Sequence, residues 1–170
     1  MAIIDTDIKF DLSGGASNTN QHLSLGGARS TSTQITDNTL HNAFNLAPGS
    51  EAAAGSVKFR TFYARNGHGS LTLFDARLFI SQDSTGTQDE IDIALDGVGK
   101  NGTAEVLTDE NDVPTGESFT HPTTFAAGLV LGDLAFGDVF PFIERRTITA
   151  GANAFDNSTV KIKVQGDTPA

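Results

Sequence analysis

The chain is 170 residues long, carries a formal charge of −10 with a pI near 4.6, and contains no cysteine. That length fits one domain able to bury a core. The missing thiols exclude a disulfide framework and a thiolate metal site, and the charge repels phosphate backbones and anionic lipid, which argues against general nucleic-acid or membrane binding.

Twelve Phe stand beside one Tyr and no Trp, an inventory that packs a core better than it lines a binding surface. Residues 1–7 have neither a basic region nor a long apolar run, so no secretory signal is expected. No stretch nears the roughly 20 apolar residues of a bilayer-crossing helix, which predicts a soluble chain. The same first residues read as a short free arm carrying Ile3 and Ile4. After it Ile8, Phe10 and Leu12 alternate with Lys9 and Asp11, a half-buried strand stopped by Ser13-Gly14-Gly15. Residues 16–38 are almost all Ser, Thr, Asn, Gln and Gly, broken by Leu23, Leu25 and Ile35. So little apolar area predicts either an ordered polar edge or a loop that orders on docking.

Leu40, Phe44 and Leu46 precede Pro48-Gly49, a pair placed for a type II turn. Glu51-Ala52-Ala53-Ala54 is helix-prone, with room for one turn at most before Gly55. Val57, Phe59, Thr61 and Tyr63 then alternate with Lys58, Arg60, Phe62 and Ala64. With Asn66-Gly67 and the run from Leu71 to Ile80 they read as a hairpin closed by a type I′ turn. Within that second run the apolar parity switches at Leu73-Phe74, which predicts a bulge. Ile91, Ile93 and Leu95 face in and Glu90, Asp92 and Ala94 face out on a further strand.

Lys100-Asn101-Gly102-Thr103 reads as a second hairpin turn, leading to a short strand over residues 103–107. Residues 108–122 are polar, with Val113-Pro114-Thr115-Gly116 placed for a type I turn. Residues 126–134 form a small-residue strand whose Gly128 and Gly132 leave room for close backbone approach. The last stretch holds the apolar run Val139 to Ile143, the pair Arg145-Arg146, the loop Ala150-Gly151-Ala152-Asn153-Ala154, and the alternation Val160, Ile162, Val164 around Lys161 and Lys163. These are two strands of one layer, and the Asn66-Gly67 hairpin with the strand around Ile93 is expected to supply the second. The sum is about eight or nine short strands and no amphipathic helix. It predicts a single all-β domain, an antiparallel β-sandwich of immunoglobulin-like or jelly-roll type, between which periodicity does not choose.

No catalytic motif appears. His22, His41, His68 and His121 stand singly and read as solvated turn residues, and no nucleophile elbow is present. Asp83, Asp89, Glu90, Asp92, Asp96, Glu105, Asp109, Glu110 and Asp112 crowd one stretch, but without the spacing of a calcium loop, so they read as a solvated acidic face. Neither a metal nor another cofactor is expected. Arg145 and Arg146, neighbours on a strand, point to opposite faces. One then lies toward the core or an interface and needs a carboxylate, or the pair guards an exposed edge.

Phe10-Asp11-Leu12-Ser13-Gly14-Gly15-Ala16-Ser17-Asn18-Thr19 with Leu25-Gly26-Gly27, Lys58-Phe59-Arg60-Thr61-Phe62-Tyr63, Leu131-Gly132-Asp133-Leu134 through Arg145-Arg146-Thr147, and Gln165-Gly166-Asp167-Thr168 together resemble small virion structural proteins of tailed bacteriophages. Among these the chain looks most like capsid decoration, or cement, proteins. The resemblance implies a β-sandwich, commonly trimeric, that docks on the capsid exterior after assembly in the host cytoplasm. There it would stabilise contacts between major capsid protein subunits, without catalysis. The expected contact residues are Ile3, Ile4, Arg29, Arg145 and Arg146. A tail or baseplate module, or a host-surface carbohydrate binder, is the alternative, with Tyr63 its only non-Phe aromatic.

Overall fold

The computed structural model describes residues 2–37, 39, 41–84, 86–153 and 158–168. Met1, Asn38, Leu40 and Ala154 of the expectations above lie outside these described residues. Seven strands are present among them: β1 (Ile8–Leu12), β2 (Ser56–Asn66), β3 (Leu73–Gln82), β4 (Asp89–Leu95), β5 (Leu129–Leu134), β6 (Val139–Ile148) and β7 (Lys161–Asp167). They form an antiparallel four-stranded sheet in the order β1-β2-β6-β4 and a three-stranded sheet in the order β5-β3-β7. Leu12, Phe62, Ala64, Ile93 and Phe142 of the first sheet pack on Leu73, Leu78, Ile80, Leu131, Leu134 and Val164 of the second. This is the all-β sandwich that the alternation predicts. Lettered A to G in chain order, the sheets read A-B-F-D and E-C-G, against A-B-E-D and C-F-G in an immunoglobulin constant domain.

The strand count is lower than expected because residues 103–107 do not extend into a strand. Their backbone makes a single bridge to another backbone segment, Ala104 to Gly27, and one further backbone–backbone bond, from Leu107 N–H to Leu25 O. Their partner segment bends at Gly26 and Gly27, both with positive φ, and leaves the pleat. The Asn66-Gly67 hairpin is also absent. Neither residue has positive φ, and β2 and β3 belong to different sheets. Asn66 is instead a buried corner post. Its amide donates to Leu71 O and Leu134 O, each at 2.8 Å, and its side-chain oxygen accepts from His68 N–H.

Layering follows from these crossings. β6 shares its sheet with β2 and β4, while β7 pairs with β3, so the two strands of the C-terminal stretch lie in opposite layers. The parity switch at Leu73-Phe74 is a real irregularity: the β3 register shifts between Leu73 and Ala76 around Asp75, whose φ is 48°. Gly128 has backbone and side-chain atoms near 3 Å from where a Cβ would stand, whereas Gly132 is open and serves its positive φ instead. Pro48 caps a six-residue helix α1 (Gly49–Ala54) rather than opening a type II turn, and Gly55 ends it at φ 77°. The N-terminal arm is not free. Ile3 packs against the core, residues 5–7 form a short 3-10 turn, and Gly67 N–H donates to Asp7 O.

Candidate functional site

The outer face of the four-stranded sheet is roofed by loops, and the roof begins with the polar segment. Gly14 N–H donates to Gly26 O, Gly15 N–H to Ala28 O, Ser30 N–H to Leu12 O, and Ile35 N–H to Phe10 O. Residues 13–35 therefore run back along the free edge of β1 as an ordered polar edge, the first of the two sequence alternatives. Ser13 ties the segment to the sheet: its hydroxyl donates to Thr61 O at 2.7 Å and accepts from Gly26 N–H at 2.9 Å. Tyr63 pins both roofing segments at once, donating to Gly27 O at 2.7 Å and accepting from Ala104 N–H at 2.9 Å. A small apolar cluster of Phe59, Ile143 and Leu107, with Leu25 and Phe119, fills the space between roof and sheet. Leu23, Val106 and Val113 remain 58%, 69% and 69% exposed on the roof's outer side.

The acidic run is only in part a solvated face: Asp83, Glu90 and Asp109 are exposed, and the others are engaged. Asp89 takes Arg146 in two parallel bonds of 2.8 and 2.7 Å, and Asp92 takes Arg145. Glu110 binds Arg60 and Lys58. Burial would raise the Glu110 pKa, but those two cations outweigh it and hold the carboxylate below its ordinary range. Asp96 accepts from Val98 and Glu105 N–H, Asp109 from Asn111 N–H, and Asp112 from Thr108 N–H and hydroxyl. Most of the run thus caps turns and neutralises strand arginines.

Glu90, Asp92 and His121 place one potential ligand atom each within 4.8 Å of the others. The arrangement does not fit a cation. His121 Nδ1, the nitrogen nearest both carboxylates, stands 2.9 Å from Ile91 O, a carbonyl that only accepts, so Nδ1 carries hydrogen. Nε2 faces Asp83 at 3.0 Å, and the second oxygen of Asp92 is held by Arg145. Desolvation lowers the His121 pKa, but the bond to Asp83 with the nearby Ile91 carbonyl and Glu90 charge overcomes it and raises the pKa. The His121 ring sits at a seam. Thr120 pairs with Ile93 of β4, and Pro122 O accepts from Ile80 N–H of β3, so the loop carrying His121 stitches the two sheets together.

The five expected contact residues are scattered over the molecule. Ile3 is half-buried and Ile4 exposed at the arm. Arg29 bonds Asp11, which also holds Arg65. Arg145 lies over the Phe119 ring, 4.8 Å from its centroid, and Arg146 reaches Asn45 O as well as Asp89. β6 is an interior strand, so the arginine pair does not guard an edge. Each has the carboxylate partner that a strand arginine turned inward requires.

Asp11, Tyr63 and His121 tie the polar loops to the sheets, roles that their residue types alone did not announce. The alternation made Asp11 look exposed, and His121 stands alone in sequence. A faint signal existed for Tyr63, the single phenol among twelve phenyl rings. Compared with known proteins, the chain matches no protein-family model, no curated protein and no solved structure.

Proposed function

We propose that this chain is a non-catalytic structural protein of a phage particle, a cement module that binds the capsid exterior and bridges neighbouring major capsid protein subunits, as a trimer. The observation that carries this reading is the roof, which Ser13 and Tyr63 bond to the sheet and to both loop segments from inside while Leu23, Val106 and Val113 face outward. Glu105, Asp109, Asp112 and Glu117 come from the same loops, so the surface offers apolar contact among carboxylates and suits a partner with a basic rim. Repeated sites on a lattice multiply modest contacts into avidity. The carbohydrate alternative has less support, because Tyr63 is 1% exposed and holds up the roof from inside.

The test is particle decoration by the triple variant Leu23→Glu, Val106→Glu, Val113→Glu, read by imaging capsids with and without added protein. Loss of bound density with an unchanged unfolding midpoint is expected. Full occupancy by the variant, or no occupancy by the natural chain, overturns the reading.

A further inference from the structure

Four acids are buried among the described residues: Asp11, Asp92, Asp96 and Glu144. Asp11 and Asp92 are paired with arginines and Asp96 accepts two backbone N–H groups, but no described residue hydrogen-bonds the carboxyl of Glu144. Glu144 is 7% exposed, in the middle of β6, directly across from Arg60 on β2 and Ile93 on β4. Arg60 is 1% exposed and committed elsewhere. One terminal nitrogen donates to Glu110 at 2.5 Å and the other to Phe59 O at 2.9 Å, the guanidinium lies over Phe44, and Nε has no partner.

Other charges close this end of the sandwich. Lys58 of β2 holds Glu51 of α1 and Glu110, Arg146 of β6 holds Asp89 of β4, and His22 lies beside Arg60. The opposite sheet contributes apolar core residues, Leu78, Ile80 and Val164. A buried carboxylate without hydrogen bonds is too costly to persist, so Glu144 keeps its proton. Burial pushes its pKa up to about 8, with Arg60 pulling the other way.

We infer that Glu144 is a proton-operated switch: on giving its proton to solvent, it draws Arg60 from Glu110 and loosens residues 108–113 from the edge of β2. The link is direct, because Phe59 N–H of β2 donates to the Glu110 carbonyl at 2.7 Å, and the Arg60 bond orients that same residue. Val113 follows in the same loop, so the switch would act on the outward face of the roof. That consequence rests on the docking reading; the switch itself is tested on the isolated protein, so either can fail without the other.

The experiment is amide hydrogen exchange, corrected for intrinsic rates, on the natural chain and Glu144→Gln, which keeps the shape of the neutral acid. In the natural chain, protection at Phe59 and residues 109–113 should fall by about tenfold or more between about pH 6.5 and 9.5, while Glu144→Gln stays level. A level profile in the natural chain, or an equal fall in both, overturns the switch. Should the variant not fold, carbon-13 titration of the Glu144 carboxyl decides: a midpoint at or above about pH 7 supports the switch and a lower one overturns it.

Discussion

Along β2 the side chains alternate between two interiors made of different materials. Phe62 and Ala64 enter the core between the sheets, where they meet Phe142, Leu12 and Ile93. Thr61, Tyr63 and Arg65 go under the roof, where Tyr63 bonds Gly27 and Ala104, and Arg65 bonds Asp11. The first interior is held by apolar area, which is non-directional and tolerates small displacements. The second is held by oriented hydrogen bonds whose buried partners are costly to orphan. One sheet thus shows that a polar loop layer can be as closed as a hydrophobic core, and more dependent on single atoms.

Phe142→Ala attacks the apolar side and should have the largest effect, about 4 kcal/mol in denaturant unfolding, because its ring packs edge-on to Phe10, 5.7 Å between centroids, and against Phe62. Exchange protection in the roof should fall by the same amount, since the roof has no stability apart from the sheet. A loss under about 1 kcal/mol would show that this ring does not join the layers.

Gly26→Ala attacks the roof without touching the core. A Cβ there would lie 1.6 Å from Glu105 O, on a backbone with φ 85°, so residues 104–107 must move. About 2 to 3 kcal/mol is expected, with amide exchange accelerated first at Gly27 and Leu107. Gly15→Ala is the control: its φ of 108° carries strain, but no atom lies within 4 Å of the new carbon. Equal costs for the two would remove the close approach from the account. Tyr63→Phe is gentler, deleting one oxygen and leaving Gly27 O and Ala104 N–H unpaired, for about 2 kcal/mol. Folding as stable as the natural chain would mean the phenol is not a post.

These two interiors also mark what the sequence made legible. The apolar alternations at Ile8 to Leu12, Val57 to Ala64, Ile91 to Leu95 and Val160 to Val164 located strands because period-two burial is written in residue type. They did not tell which strands share a sheet, since Asn66-Gly67 reads locally as a hairpin and acts as a corner between layers through three long-range and local bonds of Asn66. Nor did they reveal the roof. Asp11 and Asp92 occupy the positions that alternation assigns to solvent, yet are 2% and 7% exposed, because the segment with Arg29 and Gln34 returns over the first and the loop with His121 lies against the second. Burial of that kind is decided by tertiary closure, and residue type at one position carries no trace of it.

The smallest effect tests whether charge, as well as hydrogen bonding, holds the seam beside the roof. His121 has a raised folded pKa, so its contribution is complete below its unfolded value of about 6.5 and disappears as pH climbs through the folded value. Asp83, held below the ordinary carboxylate range first by its bond from His121, sets the other limit, its contribution fading only as pH falls through that lowered value. Glu90, Asp92 and Arg145 flank the ring, but Asp92 is already matched by Arg145. His121→Gln should therefore cost most near pH 5 to 6 and almost nothing near pH 9, with the whole effect under about 1 kcal/mol because Asp83 is half exposed and screened. Glu144 imposes a slope of its own, since an acid with a raised folded pKa makes stability fall from about pH 4.5 toward its value of about 8. Measuring His121→Gln in the Glu144→Gln background removes that slope. A difference that stays constant from pH 5 to 9 would then assign the seam to the neutral bond with Ile91 O and leave the imidazolium no part in it.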